Sequence, residues 1–140
     1  MLFYEDLVVG SKRTFGHYEV TREEVLTFAS AYDPQPFHLD DAAAAETYFG
    51  RISASGWHTC SMTMRMMVDS WKEEATASLG SPGIDELRWL QPVYPGDVLR
   101  VESELIEKRR SASRPDMGIT KTRQTTFNQK DEPVLSMVAN

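Results

Sequence analysis

The chain has 140 residues and a mass of 15.9 kDa, the size of one ordinary domain, so a single domain is expected and a two-domain enzyme is not. Its 15 basic and 21 acidic residues leave a formal charge of −6, which disfavours non-specific binding to nucleic acid or to an anionic membrane. The single Cys60 excludes an internal disulfide and fits a reducing compartment.

Acidic Glu5 and Asp6 stand where a secretory signal would carry a basic region, so a cytoplasmic location is expected. The β-favouring residues Thr14, Phe15, Tyr18 and Val20 predict a strand over Lys12–Val20. Gly16 inside it points to a bulge or a close contact. Thr21 and Glu24 form a capping-box pattern, and Val25, Phe28, Ala29 and Tyr32 follow at helical spacing. Pro34 should stop this helix at Asp33. The Pro34-Gln35-Pro36 stretch is expected to be extended and rigid, followed by a short alanine-rich helix from Asp41 to Tyr48 that closes at Gly50.

A longer amphipathic helix begins at Gly56. Its apolar stripe is read as Trp57, Cys60, Met64, Met67, Trp71 and Ala75, and its end falls before Gly80. Methionines 62, 64, 66 and 67 read either as flexible core filler or as a groove for a ligand. The longest apolar-leaning segment, Gly56 to Val68, is interrupted by polar residues and is far from the ~18 apolar residues of a membrane span.

The second half changes to a period of two. Leu87 and Trp89, Leu99 to Leu105, Ile119 to Phe127 and Val134 to Ala139 predict four further strands. Turn signals at Pro95-Gly96-Asp97, Ser111 to Gly118 and Asn128 to Glu132 separate them, the last two suiting antiparallel hairpins. The order of elements predicts a single α+β domain over residues 1–140, a curled antiparallel sheet around one long helix.

The densest cluster of reactive groups runs from Tyr32 to Asp40. Asp33 and His38 are five residues apart and joined through two prolines, so both side chains can be aimed at one point. Together they could deprotonate a water, and a positioned acid or base of this kind contributes about 10²–10⁴ in rate. On spacing alone the other reading stands beside it: Asp33 caps a helix or turn and His38 is a satisfied packing residue.

The stretch from Phe28 through Thr59 resembles the hydratase motif of the MaoC-like dehydratases, the (R)-specific enoyl-CoA hydratase group of the hot-dog superfamily. That pattern holds a Gly-Asp-x-Asn-Pro-x-His core, an alanine-bearing helix and a His-Gly pair opening the long helix. Asp33, Pro36, His38 and Gly56 match it, and the segment Leu87 to Asp97 resembles the family's strand followed by a Pro-x-x-x-Gly-Asp turn. Tyr32, Gln35 and Ser55 stand where the pattern has glycine, asparagine and histidine.

The resemblance implies a hot-dog fold and reversible addition of water to a trans-2-enoyl-CoA thioester, with no cofactor. It implies Asp33 and His38 as the acid–base pair. Gly56, at a helix N-terminus, would donate a backbone N–H to the enolate oxygen, or be a plain helix-opening turn. Gln35, Ser55 and Trp57 are expected at the substrate, with Tyr32 and Trp89 adding crowding that favours a short or substituted acyl group. A homodimer or higher homo-oligomer is also implied, and exposed edges of a small sheet give a physical reason for pairing.

Lys108, Arg109, Arg110, Arg114, Lys121 and Arg123 are the one basic concentration. They are either a solvated hairpin or a seat for CoA phosphates, with Arg109, Arg110 and Arg114 as the candidate contacts. Without interleaved aromatics the segment does not suggest a nucleic-acid partner. His17, His38 and His58 lack the close spacing of zinc ligands, so no metal is expected. Cys60 on the helix stripe is expected to be buried and inert, and Ser53, Ser55 and Ser61 lack a nucleophile-elbow context. Two rival functions use the same cavity: an acyl-CoA thioesterase and a non-catalytic subunit that binds acyl thioesters.

Overall fold

A computed structural model describes residues 4–74, 81–114 and 118–140. Five strands, β1 (Lys12–Glu19), β2 (Ile84–Trp89), β3 (Val98–Arg110), β4 (Gly118–Phe127) and β5 (Pro133–Ala139), form one antiparallel sheet in the order β1-β3-β4-β5-β2. The helices are α1 (Arg22–Tyr32), α2 (Pro36–Leu39), α3 (Asp41–Ala45) and α4 (Gly56–Glu74), after a 3₁₀ turn at Tyr4–Asp6. The sheet is curled but not closed. Met62, Met66 and Met67 of α4 form the core with Leu99 and Val101 of β3 and Val134, Leu135 and Met137 of β5.

Gly16 shows why β1 can lie against α4. Its φ of +93° falls in the left-handed region, at the register shift between Phe15 and Tyr18, and a Cβ there would meet Met66 Sδ at 2.5 Å. Both the bulge and the close contact read from the sequence are present.

The expected capping box is half formed. Thr21 accepts the Glu24 N–H at 3.2 Å, but the Glu24 carboxylate turns to the Tyr18 hydroxyl and the His58 ring. The stretch after α1 is extended only as far as Gln35, at φ −76° and ψ 140°. Pro36 then opens α2, because a proline at the first helical position has its φ preset and needs no hydrogen-bond partner. Helix α3 starts at Asp41 as read but ends at Ala45, where the Glu46 N–H falls back to the Ala43 carbonyl in a tighter turn.

Helix α4 buries a different face from the one its apolar residues suggest. Thr59, Met62, Thr63, Met66, Met67 and Ser70 are buried, whereas Trp57 and Met64 are exposed. Of the expected stripe only Met67 is fully inside, with Cys60 and Trp71 partly so, while Ala75 and the helix end lie outside the described residues. Polar groups can sit inward because they have partners: Thr63 and Thr126 share a hydrogen bond of 2.7 Å between α4 and β4, and Ser70 accepts from Arg13 of β1. Three of the four methionines are thus core filler, and Met64 is not.

Candidate active site

Asp33 closes α1 and His38 is the third residue of the single-turn helix α2, so the proline-directed turn at Pro36 winds the imidazole back toward the carboxylate. His38 Nε2 lies 3.4 Å from Asp33 Oδ2. His38 Nδ1 is 2.7 Å from the carbonyl oxygen of Ser53. A carbonyl only accepts, so Nδ1 carries the proton, and in the neutral ring Nε2 presents its lone pair toward Asp33. The ring is buried at 5% exposure, among Phe37 and Phe49.

Asp33 is held from two sides. Gln35 Nε2 donates to Oδ1 at 2.6 Å, and the Ser55 hydroxyl donates to Oδ2 at 2.7 Å. Partial burial pushes the carboxyl pKa up, but the hydrogen bonds from Ser55 and Gln35, joined by the charge of His38 whenever its ring is protonated, outweigh it, so the net shift is downward. The group is therefore a carboxylate at neutral pH. Two acceptors, Asp33 Oδ2 and His38 Nε2, then face one point, and a single water there can donate a hydrogen to each.

Ser55 is fully buried and ends the segment that carries Ser53. It is also the N-cap of α4, its carbonyl accepting from the Thr59 N–H at 3.1 Å. One residue thus fixes both the carboxylate and the helix start. Gly56 follows at the first position of α4, where backbone N–H groups have no intrahelical acceptor. A Cβ on Gly56 would lie 2.7 Å from the Trp89 indole, whose Nε1 donates to the Gly56 carbonyl at 2.8 Å. The glycine is required by this tryptophan, a contact between β2 and α4 that residue spacing does not reveal. Trp57 stacks edge-on against Trp89, with centroids 5.2 Å apart.

The expected residues Asp33, Gln35, His38, Ser55, Gly56 and Trp57 are therefore in one neighbourhood. Gln35 and Ser55, expected at the substrate, are hydrogen-bonded to Asp33. Arg109, Arg110 and Arg114 are not brought there. Val98 lies at the end of β3 that follows the segment packed on Ala54, and Arg110 is twelve residues farther along, about 40 Å of strand. Arg110 pairs with Glu5, and Lys108 donates to the Leu7 carbonyl, so part of the basic hairpin serves to tie down the N-terminal segment.

Sequence spacing did not single out His58 with Glu24. The ring is 2% exposed, stacks on Phe28 at 4.7 Å, and sets Nε2 3.1 Å from Glu24 Oε1, which also accepts from Tyr18. Burial and then Glu24 push the Tyr18 pKa up to about 12. This cluster joins β1, α1 and α4 behind the site. Burial also pushes the Cys60 thiol up, in keeping with an inert role. Among the described residues no helix is long and apolar enough to cross a membrane.

Comparison with known proteins bears on the fold and the family. The crystal structure of a MaoC-like dehydratase from Rhodospirillum rubrum superimposes with a TM-score of 0.87 at 39% identity, covering 99% of this chain and 94% of that one. The (R)-hydratase of A. caviae gives a TM-score of 0.74 at 25% identity, with 96% of each chain covered. The 3-hydroxybutyryl-CoA dehydratase of Methylorubrum extorquens is 31% identical over 120 residues, 80% of this chain and 71% of that protein. These neighbours have the hot-dog fold, and the family model described as MaoC like domain matches residues 7–126. An open curled sheet against one long helix, matched over that span, makes this chain a member of the MaoC-like dehydratase family.

Proposed function

We propose that this protein adds water to a trans-2-enoyl-CoA to give an (R)-3-hydroxyacyl-CoA, or runs the reverse dehydration, without a cofactor. The observation that carries this reading is the pairing of the Asp33 carboxylate with the His38 Nε2 lone pair at 3.4 Å, each fixed by a further hydrogen bond. Water held between them loses a proton to the pair as its oxygen bonds to the β-carbon of the substrate. The pair then returns a proton to the α-carbon. The net change is H on Cα and OH on Cβ, and both side chains end as they began. Negative charge that develops on the thioester oxygen is met by the Gly56 N–H at the positive end of α4, and one such donor is worth about 3–4 kcal/mol in the transition state.

The family assignment and the named hydratase and dehydratase relatives support the reaction class. Two copies are proposed to pair through β2 and the exposed face of α4, where Trp57, Met64, Ile84, Trp89 and Leu90 remain uncovered in one chain.

Loss of enoyl absorbance with a panel of trans-2-enoyl-CoA substrates tests the reading. Asp33→Asn and His38→Ala should each lower turnover by at least about a hundredfold while the circular dichroism spectrum is unchanged. Near-normal hydration by either variant overturns these roles. Release of free CoA from an acyl-CoA, with the enoyl absorbance intact, points instead to a thioesterase.

A further inference from the structure

A cleft of about 350 Å³ lies beside the catalytic segment, lined by Tyr48, Arg51, Gln91, Tyr94, Gln129 and Lys130 together with Asp97 and Glu132. Arg51 is two residues from Ser53, whose carbonyl holds His38, so the cleft begins within about 7 Å of chain from the site. Tyr94 fixes this wall by donating its hydroxyl to the Phe49 carbonyl at 2.8 Å, and Phe49 packs on Phe37.

The charges in the cleft are unevenly committed. Asp97 accepts from the Tyr94 N–H and from Gln129, and Glu132 accepts from Asn128, so both acids already serve the turns that form the walls. The cations are different. Arg51 Cζ lies over the Tyr94 ring, 4.0 Å from its centroid, and neither its guanidinium nor the Lys130 ammonium has an ion-pair partner among the described residues. The neighbouring Arg100, by contrast, is paired with Asp131 at 2.8 Å. Tyr48 lines the same cleft and is 92% exposed as a residue. A guanidinium pre-oriented by an aromatic face offers its fork to a phosphate, a nearby ammonium adds a point charge, and an uncovered phenol ring is a platform for a purine.

We infer that this cleft binds the 3′-phosphorylated adenine nucleotide of the CoA carrier, with Arg51 and Lys130 on phosphate and Tyr48 against the base. This rests on the proposed reaction for its substrate class, but the nucleotide seat differs from the Arg109, Arg110 and Arg114 hairpin expected from the sequence.

Two measurements separate the seat from the reaction. The first compares trans-2-butenoyl-CoA with the matching pantetheine thioester, which has no nucleotide, in the wild type and in the Arg51→Ala/Lys130→Ala double variant. The expected result is a KM for the CoA ester raised tenfold or more with kcat retained, and unchanged kinetics for the pantetheine ester. Equal effects on both esters, or none on either, overturn the seat. The second measures binding of adenosine 3′,5′-bisphosphate by calorimetry, expected for the wild type and lost in the double variant. Absence of binding to the wild type overturns the seat whether or not the protein hydrates enoyl thioesters. If the nucleotide binds but neither ester turns over, the hydratase reading fails and the seat stands.

Discussion

Ser55 supplies the clearest test of how single residues set the chemistry. Its hydroxyl reaches Asp33 across 22 positions of sequence, and its burial keeps water from replacing it. A hydrogen bond to a charged group is worth about 1.5–3 kcal/mol, and 1.36 kcal/mol corresponds to about one pKa unit. Ser55→Ala should therefore raise the Asp33 pKa, moving the acidic limb of the kcat/KM profile upward by about one unit. An unmoved limb would show that Ser55 does not hold the carboxylate. The stability effect has a definite sign. The folded pKa of Asp33 lies below its ordinary 3.8, so the carboxylate stabilises the fold above that value, and the contribution disappears as the pH falls through the lower folded value. The variant should lose part of this contribution at neutral pH. The closeness of Asp33 and His38 was legible because two prolines in a five-residue span restrict where they can go, whereas their acid–base role was implied only by the family resemblance. The partners Ser55 and Gln35 were not, since a hydroxyl 22 residues away carries no local signal and an amide two residues away fits substrate contact equally well.

At the scale of elements, strand and turn positions were legible because period-two alternation and the Pro, Gly and Asn signals agree. The buried face of α4 was not. Its core side carries Thr59, Thr63 and Ser70, while Trp57 and Met64 face outward, so counting apolar residues rotates the helix the wrong way. What fixes the true face is the contact with β1 at Gly16. Gly16→Ala would place a Cβ against Met66 Sδ at 2.5 Å and hold a non-glycine residue at φ +93°. The expected loss is about 1–3 kcal/mol, read from the urea midpoint. Adding Met66→Ala tests the origin of the loss: the cost of Gly16→Ala should be smaller in that background, because the backbone term remains and the collision does not. Equal cost in both backgrounds would remove Met66 from the explanation.

For the whole molecule, the sheet order decides which edges are open, and no local pattern in the sequence discloses that order. β1 and β2 are the outer strands. The β1 edge carries Lys12, Arg13, His17 and Glu19, a set of charged or ionisable groups that resists pairing with another chain. β2 carries Ile84 and Trp89, followed by Leu90, with exposures of 46%, 47% and 48%. Trp89 continues this surface onto α4 through its contact with Trp57, and Met64 lies two helical turns beyond Trp57 on the same face. Apolar groups gathered along one open edge and the adjoining helix face are what the proposed pairing of two copies rests on, whereas single exposed apolar residues would need no explanation. Trp57 and Met64 of α4 lie outside the core and on the proposed pairing surface. Sedimentation at micromolar concentration should give twice the 15.9 kDa chain mass, and Ile84→Glu combined with Leu90→Glu should give the monomer. Neither residue contacts Asp33 or His38 in the chain, so the circular dichroism spectrum should be retained. A wild type that sediments as a monomer, or a double variant that remains dimeric, would place the interface elsewhere. Activity sharpens the result, because Trp89 joins this surface to Gly56: if dissociation lowers turnover while the acidic limb set by Asp33 stays in place, the second copy is completing the substrate cavity and leaving the acid–base pair untouched.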